Sequence, residues 1–305
     1  SFWGAALLAS SDAPGEVRKI RRALIDPARV LGVSGVFLTE YSGVLLPLME
    51  DVLDKGNDHL AANAIIVISE LGTERALDAL LDRCSSRAEP RRFVRLAAAR
   101  GSARLLTGGR LAVTNPNKFA FAARTLLAAI QTENDPIVLP HQLSAMLAAA
   151  SQLSAPSPPA QQIRGYIVDA LNDVAARSTA APANGDPIAC LIATYPVLNE
   201  LRKSFLDLDV QSQQRFGKLL GPALQNVLDV AAARWTESRQ DPQTSLRLGR
   251  VIYFCEEFLR FIDTIVRNGQ PSPDAGLKAA WDAGDLTKYR QVLDRWESVL
   301  TKPPY

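Results

Sequence analysis

Apolar residues recur along this chain at intervals of three and four. Leu45, Leu48, Met49, Val52 and Leu53 form one such set, with Glu50, Asp51 and Asp54 between them. Leu60, Ala61, Ala64, Ile65, Ile68 and Leu71 form the next. Ala76, Leu77, Leu80, Leu81 and Cys84 continue it, and Phe93, Val94, Ala97, Ala98, Gly101 and Leu105 follow. This is the period of amphipathic helices. No stretch of similar length alternates with period two, so no sheet is expected. In the second half the same pattern predicts helices at about 160–177, 187–207, 211–239, 243–268 and 286–301.

The punctuation fits helices. Asp26-Pro27, Asp135-Pro136, Asp186-Pro187 and Asp241-Pro242 each precede an apolar-periodic stretch. An Asp side chain accepts from the free amides of a first helical turn, and Pro suits the first helical position. Gly56, Gly72 and Gly269 stand where a helix end favours a left-handed residue. Two breaks stand out, at 154–160 and at 178–187, both rich in Pro and small residues. The first is taken as a boundary between a region spanning 1–153 and a helical region spanning 160–305. The second region is read either as a continuation of the first or as a separate bundle. The apolar start Phe2–Ala9 is too short to span a bilayer, and it has no basic head. It is expected to dock as a helix.

Two segments echo each other. Asp58-His59-Leu60-Ala61-Ala62-Asn63-Ala64-Ile65 runs on to Glu70-Leu71-Gly72, and Arg92-Phe93-Val94-Arg95-Leu96-Ala97-Ala98-Ala99 runs on to Leu105-Leu106. Between them lies Thr73-Glu74-Arg75-Ala76-Leu77-Asp78-Ala79-Leu80-Leu81. The pairing of Val94-Arg95 with Ala98-Ala99, and the Leu71-Gly72 junction, resemble HEAT or armadillo-type repeats. The resemblance covers residues 40–108, thins over 110–153 and is not visible after 160. It implies an all-α fold of antiparallel helix pairs stacked as a HEAT-like α-solenoid, with a helical C-terminal half. In such stacks each pair has an apolar face that only its neighbour covers. A second echo, Ala279-Ala280-Trp281-Asp282-Ala283-Gly284-Asp285-Leu286, is similar to one tetratricopeptide-type hairpin; the simpler reading is a terminal helix pair that caps the core.

Composition narrows the function classes. The 305 residues are 47% hydrophobic and 7% aromatic, with 34 basic and 32 acidic residues and a net charge of +2. That balance gives no global field toward nucleic acid or an anionic membrane. Cys84, Cys190 and Cys255 are far apart and suit small core residues. His59 and His141 belong to no metal-binding spacing. No glycine-rich phosphate loop or nucleophile elbow is present, and the glycines at 101–109 read as the end of a helix. Glu256, Arg260, Asp263 and Arg267 share one helix face and read as a solvated ion ladder. No cofactor and no metal is expected.

The sharpest binding candidates are basic. Arg18, Lys19, Arg21 and Arg22 form one cluster; Arg91, Arg92, Arg95, Arg100 and Arg104 form the other. On an inner helix, Arg91 and Arg95 are expected to face the concave groove that HEAT-like proteins use for partners. Arg91, Arg92, Arg95 and Arg104 are therefore the candidate binding residues. The expected function is a non-enzymatic interaction or scaffold protein with a protein or peptide partner. One alternative is a polyanion or nucleic-acid binder using the Arg-rich helix, and another is an enzyme with a dispersed site between the two halves. The expected protein is soluble, without an integral membrane segment. It is expected in the cytoplasm, with a processed exported protein as the alternative.

Overall fold

The computed structural model describes the chain apart from residues 1, 11–12, 31, 108–114, 181–185, 271 and 274. Glycines 108 and 109, and the middle of the expected break at 178–187, lie outside the described residues. The described residues are helical throughout and contain no strand. None of their helices is long and apolar enough to cross a membrane. The chain divides into two compact units, one of residues 1–133 with 144–152 and one of residues 134–143 with 153–305.

The first unit contains α1 (Phe2–Ala9), α2 (Pro14–Arg29), α3 (Gly35–Lys55), α4 (Asp58–Ile68), α5 (Glu74–Asp82), α6 (Arg92–Thr107) and α7 (Asn117–Ile130). The next helix, α8 (Leu139–Ser151), begins in residues of the second unit and ends in residues of the first. Packing in the first unit follows a regular rule. Helix α1 lies against α3, α3 against α5, and α5 against α7. Likewise α2 lies against α4, and α4 against α6. Chain neighbours α1–α2, α3–α4 and α5–α6 also touch. The core between them is aliphatic: Met49, Val52, Leu53, Ala64, Ile65, Ile68, Leu77 and Leu80 are fully buried. Each larger side chain among them contributes roughly 1.5–3 kcal/mol through burial.

Hydroxyl and amide caps set the helix starts. Ser34, Asn57 and Thr73 accept from the amides of Phe37, Leu60 and Ala76. Asp26-Pro27 does not start a helix: Pro27 lies inside α2, one turn from its end. The buried positions Val17, Leu24, Ile25 and Ala28 run through it, and their shared apolar face carries the helix past the proline. Gly72 and Gly269 have positive φ, 65° and 81°, as expected. Gly56 does not; its φ is −82°. A Cβ there would lie 2.5 Å from the Val52 carbonyl oxygen and 2.9 Å from Leu60 Cβ, so close approach makes glycine necessary at this corner.

The second unit contains α9 (Pro158–Thr179), α10 (Pro187–Ala193), α11 (Tyr195–Leu206), α12 (Val210–Ala233), α13 (Trp235–Gln240), α14 (Pro242–Val266), α15 (Leu277–Ala283) and α16 (Leu286–Leu300). Asp186 and Asp241 cap α10 and α14 as expected, each with proline at the start of the helix. Asp135 accepts from the amides of Ile137 and Val138 in the turn before α8. The helix expected over 187–207 is broken at Thr194, where Pro196 follows in the next first turn. The one expected over 211–239 is broken at Arg234.

Helix α12 is the hub of the second unit and touches α9, α14 and α16. Its glycines set the approach. A Cβ on Gly217 would lie 2.9 Å from both Ile262 Cγ2 and Val266 Cγ2. The terminal pair α15–α16 turns at Gly284 (φ 71°) and buries Trp281, Tyr289 and Trp296; the rings of Trp281 and Tyr289 both meet Trp235.

These two environments predict opposite outcomes for glycine substitution. Gly217→Ala forces Ile262 and Val266 apart and is expected to destabilise by about 1–3 kcal/mol. Gly165→Ala, in α9 where a Cβ meets nothing within 4 Å, is expected to stabilise by about 0.5–1 kcal/mol. Urea unfolding of the two variants checks both signs.

Candidate interaction surface

Three of the four candidate arginines lie on helix α6 and Arg91 immediately precedes it, and the structure divides them. Arg95 is 7% exposed. Its Nε donates to Glu133 Oε2 at 2.7 Å and its Nη2 to Glu133 Oε1 at 3.1 Å. Its Nη1 donates to the carbonyls of Glu89 and Pro90. Arg91 grips the Glu89 carboxylate through Nε at 2.7 Å and Nη2 at 2.6 Å, and also reaches the Leu53 and Gly56 carbonyls. Arg104 binds Glu70, which Arg29 holds from its other side with two hydrogen bonds. Arg92 is exposed, its guanidinium 5.9 Å from the Phe93 ring centroid.

The expectation that Arg91 and Arg95 face an open groove is therefore corrected. Glu70, Glu89 and Glu133 are 1–3% exposed; Glu89 lies in the segment between α5 and α6, while Glu70 and Glu133 lie just past the C-terminal ends of α4 and α7. A carboxylate at that end of a helix opposes the helix dipole, and a buried one requires a cation and hydrogen bonds. Arg91, Arg95 and Arg104, with Arg29, supply these. Burial pushes the Glu89 carboxyl up, but hydrogen bonds from Arg91 and the charge of Arg83 outweigh it and leave it below its ordinary value. Arg91 and Arg95 meet around Glu89, while Arg104 serves a different helix end. Phe93, read as part of the apolar face, is instead 59% exposed. Val94, Ala98, Gly101 and Leu105 do face the core.

The surface that stands open lies on α3. Gly35, Val36, Thr39, Glu40, Gly43, Val44 and Pro47 are all exposed and follow one helical stripe, with a single charge among them. Val36 is 76% and Val44 69% exposed. Beside the stripe runs a groove of about 580 Å³ between the first turns of α3 and the start of α5, lined by Leu38, Thr39, Gly43, Thr73, Glu74 and Arg75 among others. A hydroxyl bond of 2.9 Å between Ser42 and Thr73 fixes its floor. Gly43 sits mid-helix, yet a Cβ there would meet nothing within 4 Å. Glycine in a helix interior costs about 1 kcal/mol relative to alanine, and no internal packing at Gly43 requires it. Pro47 has no N–H to offer the Gly43 carbonyl. Sequence periodicity found the buried face of this helix and left its outer face unread.

Other candidates fall into structural roles. The Glu256–Arg267 set is not a solvated ladder, since Glu256 is 2% and Asp263 0% exposed. Glu256 accepts from the amides of Gly276, Leu277 and Lys278 at the start of α15. Asp263 accepts from Arg267, Ser272 and Tyr305. The pattern misled because a three-and-four spacing of charges reads the same whether a neighbouring segment covers it or not. Cys84, Cys190 and Cys255 are free thiols in the core, and burial pushes Cys84 and Cys255 up to about 12. His59 is exposed, with its ring 3.5 Å from Asn63 Nδ2. Among the described residues no group of three or more His, Cys, Asp or Glu side chains is placed to hold a metal. Comparison with protein-family models, curated proteins and solved structures finds no match for this chain.

One carboxylate in the second unit is perturbed upward. Burial raises Asp229 on α12 to about 6, with help from Glu297 and Asp294 on α16, against a hydrogen bond from Gln225. Its folded pKa lies above the unfolded one, so its contribution to stability is fully present below about pH 4 and is lost as pH rises through about 6. Asp229→Asn removes that loss, and its amide gains an acceptor in the otherwise unpartnered Gln225 Oε1. The variant is expected to exceed the parent by up to about 3 kcal/mol at pH 8 and to match it at pH 4 in denaturant unfolding.

Proposed function

We propose that this chain is a non-enzymatic interaction protein whose first unit is a HEAT-like stack of helix pairs, and that it docks an apolar peptide segment of a protein partner on the outer face of α3. The alternating contacts support the stack: α1–α3–α5–α7 form one layer and α2–α4–α6 the other. The observation that carries the docking reading is the α3 stripe, four turns of exposed Gly, Val, Thr and Pro with only Glu40 charged. A face of this composition is unusual to leave in water. Gly43 permits close backbone approach, and its carbonyl, which Pro47 cannot engage, offers an acceptor to an incoming chain. Glu40, Glu74 and Arg75 at the groove supply polar ends that set register.

Panning a random peptide library against the protein tests this. An apolar consensus is expected, with affinity reduced at least tenfold by Gly43→Trp, which fills open space and spares the fold. Lys288→Trp, on the exposed face of α16, is expected to leave that affinity unchanged. Failure to select a consensus, or equal binding by the two variants, contradicts the reading.

A further inference from the structure

Among the described residues, the buried charges obey one rule with one exception. Glu70, Glu89, Arg95, Glu133 and Asp263 each have an opposite charge, and Glu256 has three backbone amides. Arg164 on α9 is 8% exposed and has no carboxylate within ion-pair distance among the described residues. One of its nitrogens, Nη1, donates to the Ala155 carbonyl at 2.7 Å, and its guanidinium lies 5.9 Å from the Phe216 ring centroid. Asp209, the nearest acidic influence, is exposed and accepts from the Ser212 amide as the cap of α12. Burial lowers the Arg164 pKa, as it does for a cation short of counter-charge.

Arg164 does not face solid protein. It lines a cavity of about 80 Å³ between α9 and α12, several times the room one water needs. The other lining residues are Gln161, Ser212, Arg215, Phe216 and Leu219. Arg215 is exposed and makes no ion pair among the described residues. Two guanidinium groups, a serine, a glutamine amide and no carboxylate therefore converge on one small space, with an aromatic ring and a leucine at its wall. Guanidinium donors match oxyanions in shape as well as charge. We propose that this cavity binds the phosphoryl group of a small phosphomonoester, with Arg164 and Arg215 as its cationic donors and Phe216 and Leu219 against the ester's apolar part. The site belongs to the second unit and does not rest on the peptide-docking reading of the first.

The test is calorimetric titration of the full chain at constant ionic strength with phenyl phosphate, inorganic phosphate and, as reference, chloride. Saturable binding is expected for both phosphates, at least threefold tighter for phenyl phosphate. Arg215→Gln, an exposed change that leaves the melting temperature unaltered, is expected to weaken both at least tenfold. Heats no larger than those of chloride overturn the site, as does unchanged affinity in Arg215→Gln. Equal affinity for the two phosphates overturns the apolar half of the assignment. Vesicles containing phosphatidic acid form the last arm: binding to them without binding to phenyl phosphate overturns the assignment to a small soluble ester.

Discussion

Three glutamates withdrawn from water set the terms for the first unit. Glu70 and Glu133 follow the ends of α4 and α7, where the local dipole disfavours them, Glu89 lies between α5 and α6, and all three are almost completely buried. Left unpaired, each would be an uncompensated buried charge. Arg91, just before α6, and Arg95 and Arg104, on it, resolve all three. The Arg95–Glu133 and Arg104–Glu70 bonds link separate helices, so the aliphatic core is held in one register as well as buried. The same use of charge withdraws Arg95 into the interior, while Arg92 stays exposed.

The second unit solves a similar problem with different residues. Its hub α12 gains close neighbours through glycines, and α14 sends two buried carboxylates to fix chain that is not itself a long helix. Glu256 gathers the first amides of α15, and Asp263 gathers Ser272 and Tyr305. In both units, then, buried acids tie down segment ends. Arg164 departs from that economy of pairing, and the cavity it lines explains why.

Much of the local structure was legible in the sequence because it is local chemistry. Asp186-Pro187 and Asp241-Pro242 start helices through bonds spanning three residues, and apolar spacing located most of the buried positions of α3 to α6. What failed depends on residues distant in the chain. Asp26-Pro27 carries the same dipeptide but sits in a helix held by its apolar face. Gly56 is fixed by Leu60 and not by a left-handed turn. Arg91 and Arg95 were visible as basic residues, but their destinations depend on Glu89 and on Glu133, the latter thirty-eight positions from Arg95. A sign was present: a lone Glu directly after an apolar helix opposes the dipole and asks for a cation. The outer stripe of α3 was equally readable, since glycine at mid-helix has to be explained by something.

The account turns on whether the cross-helix ion pairs of α6 hold the first unit together. A double-mutant cycle on Arg95 and Glu133, using Arg95→Met and Glu133→Leu with unfolding followed in urea, measures that directly. Each single change strands one buried charge and is expected to destabilise by about 3–5 kcal/mol, while the double change recovers at least half of the summed loss. Additive losses, with a coupling below about 0.5 kcal/mol, would show that the pair does not act as a unit and would contradict the account.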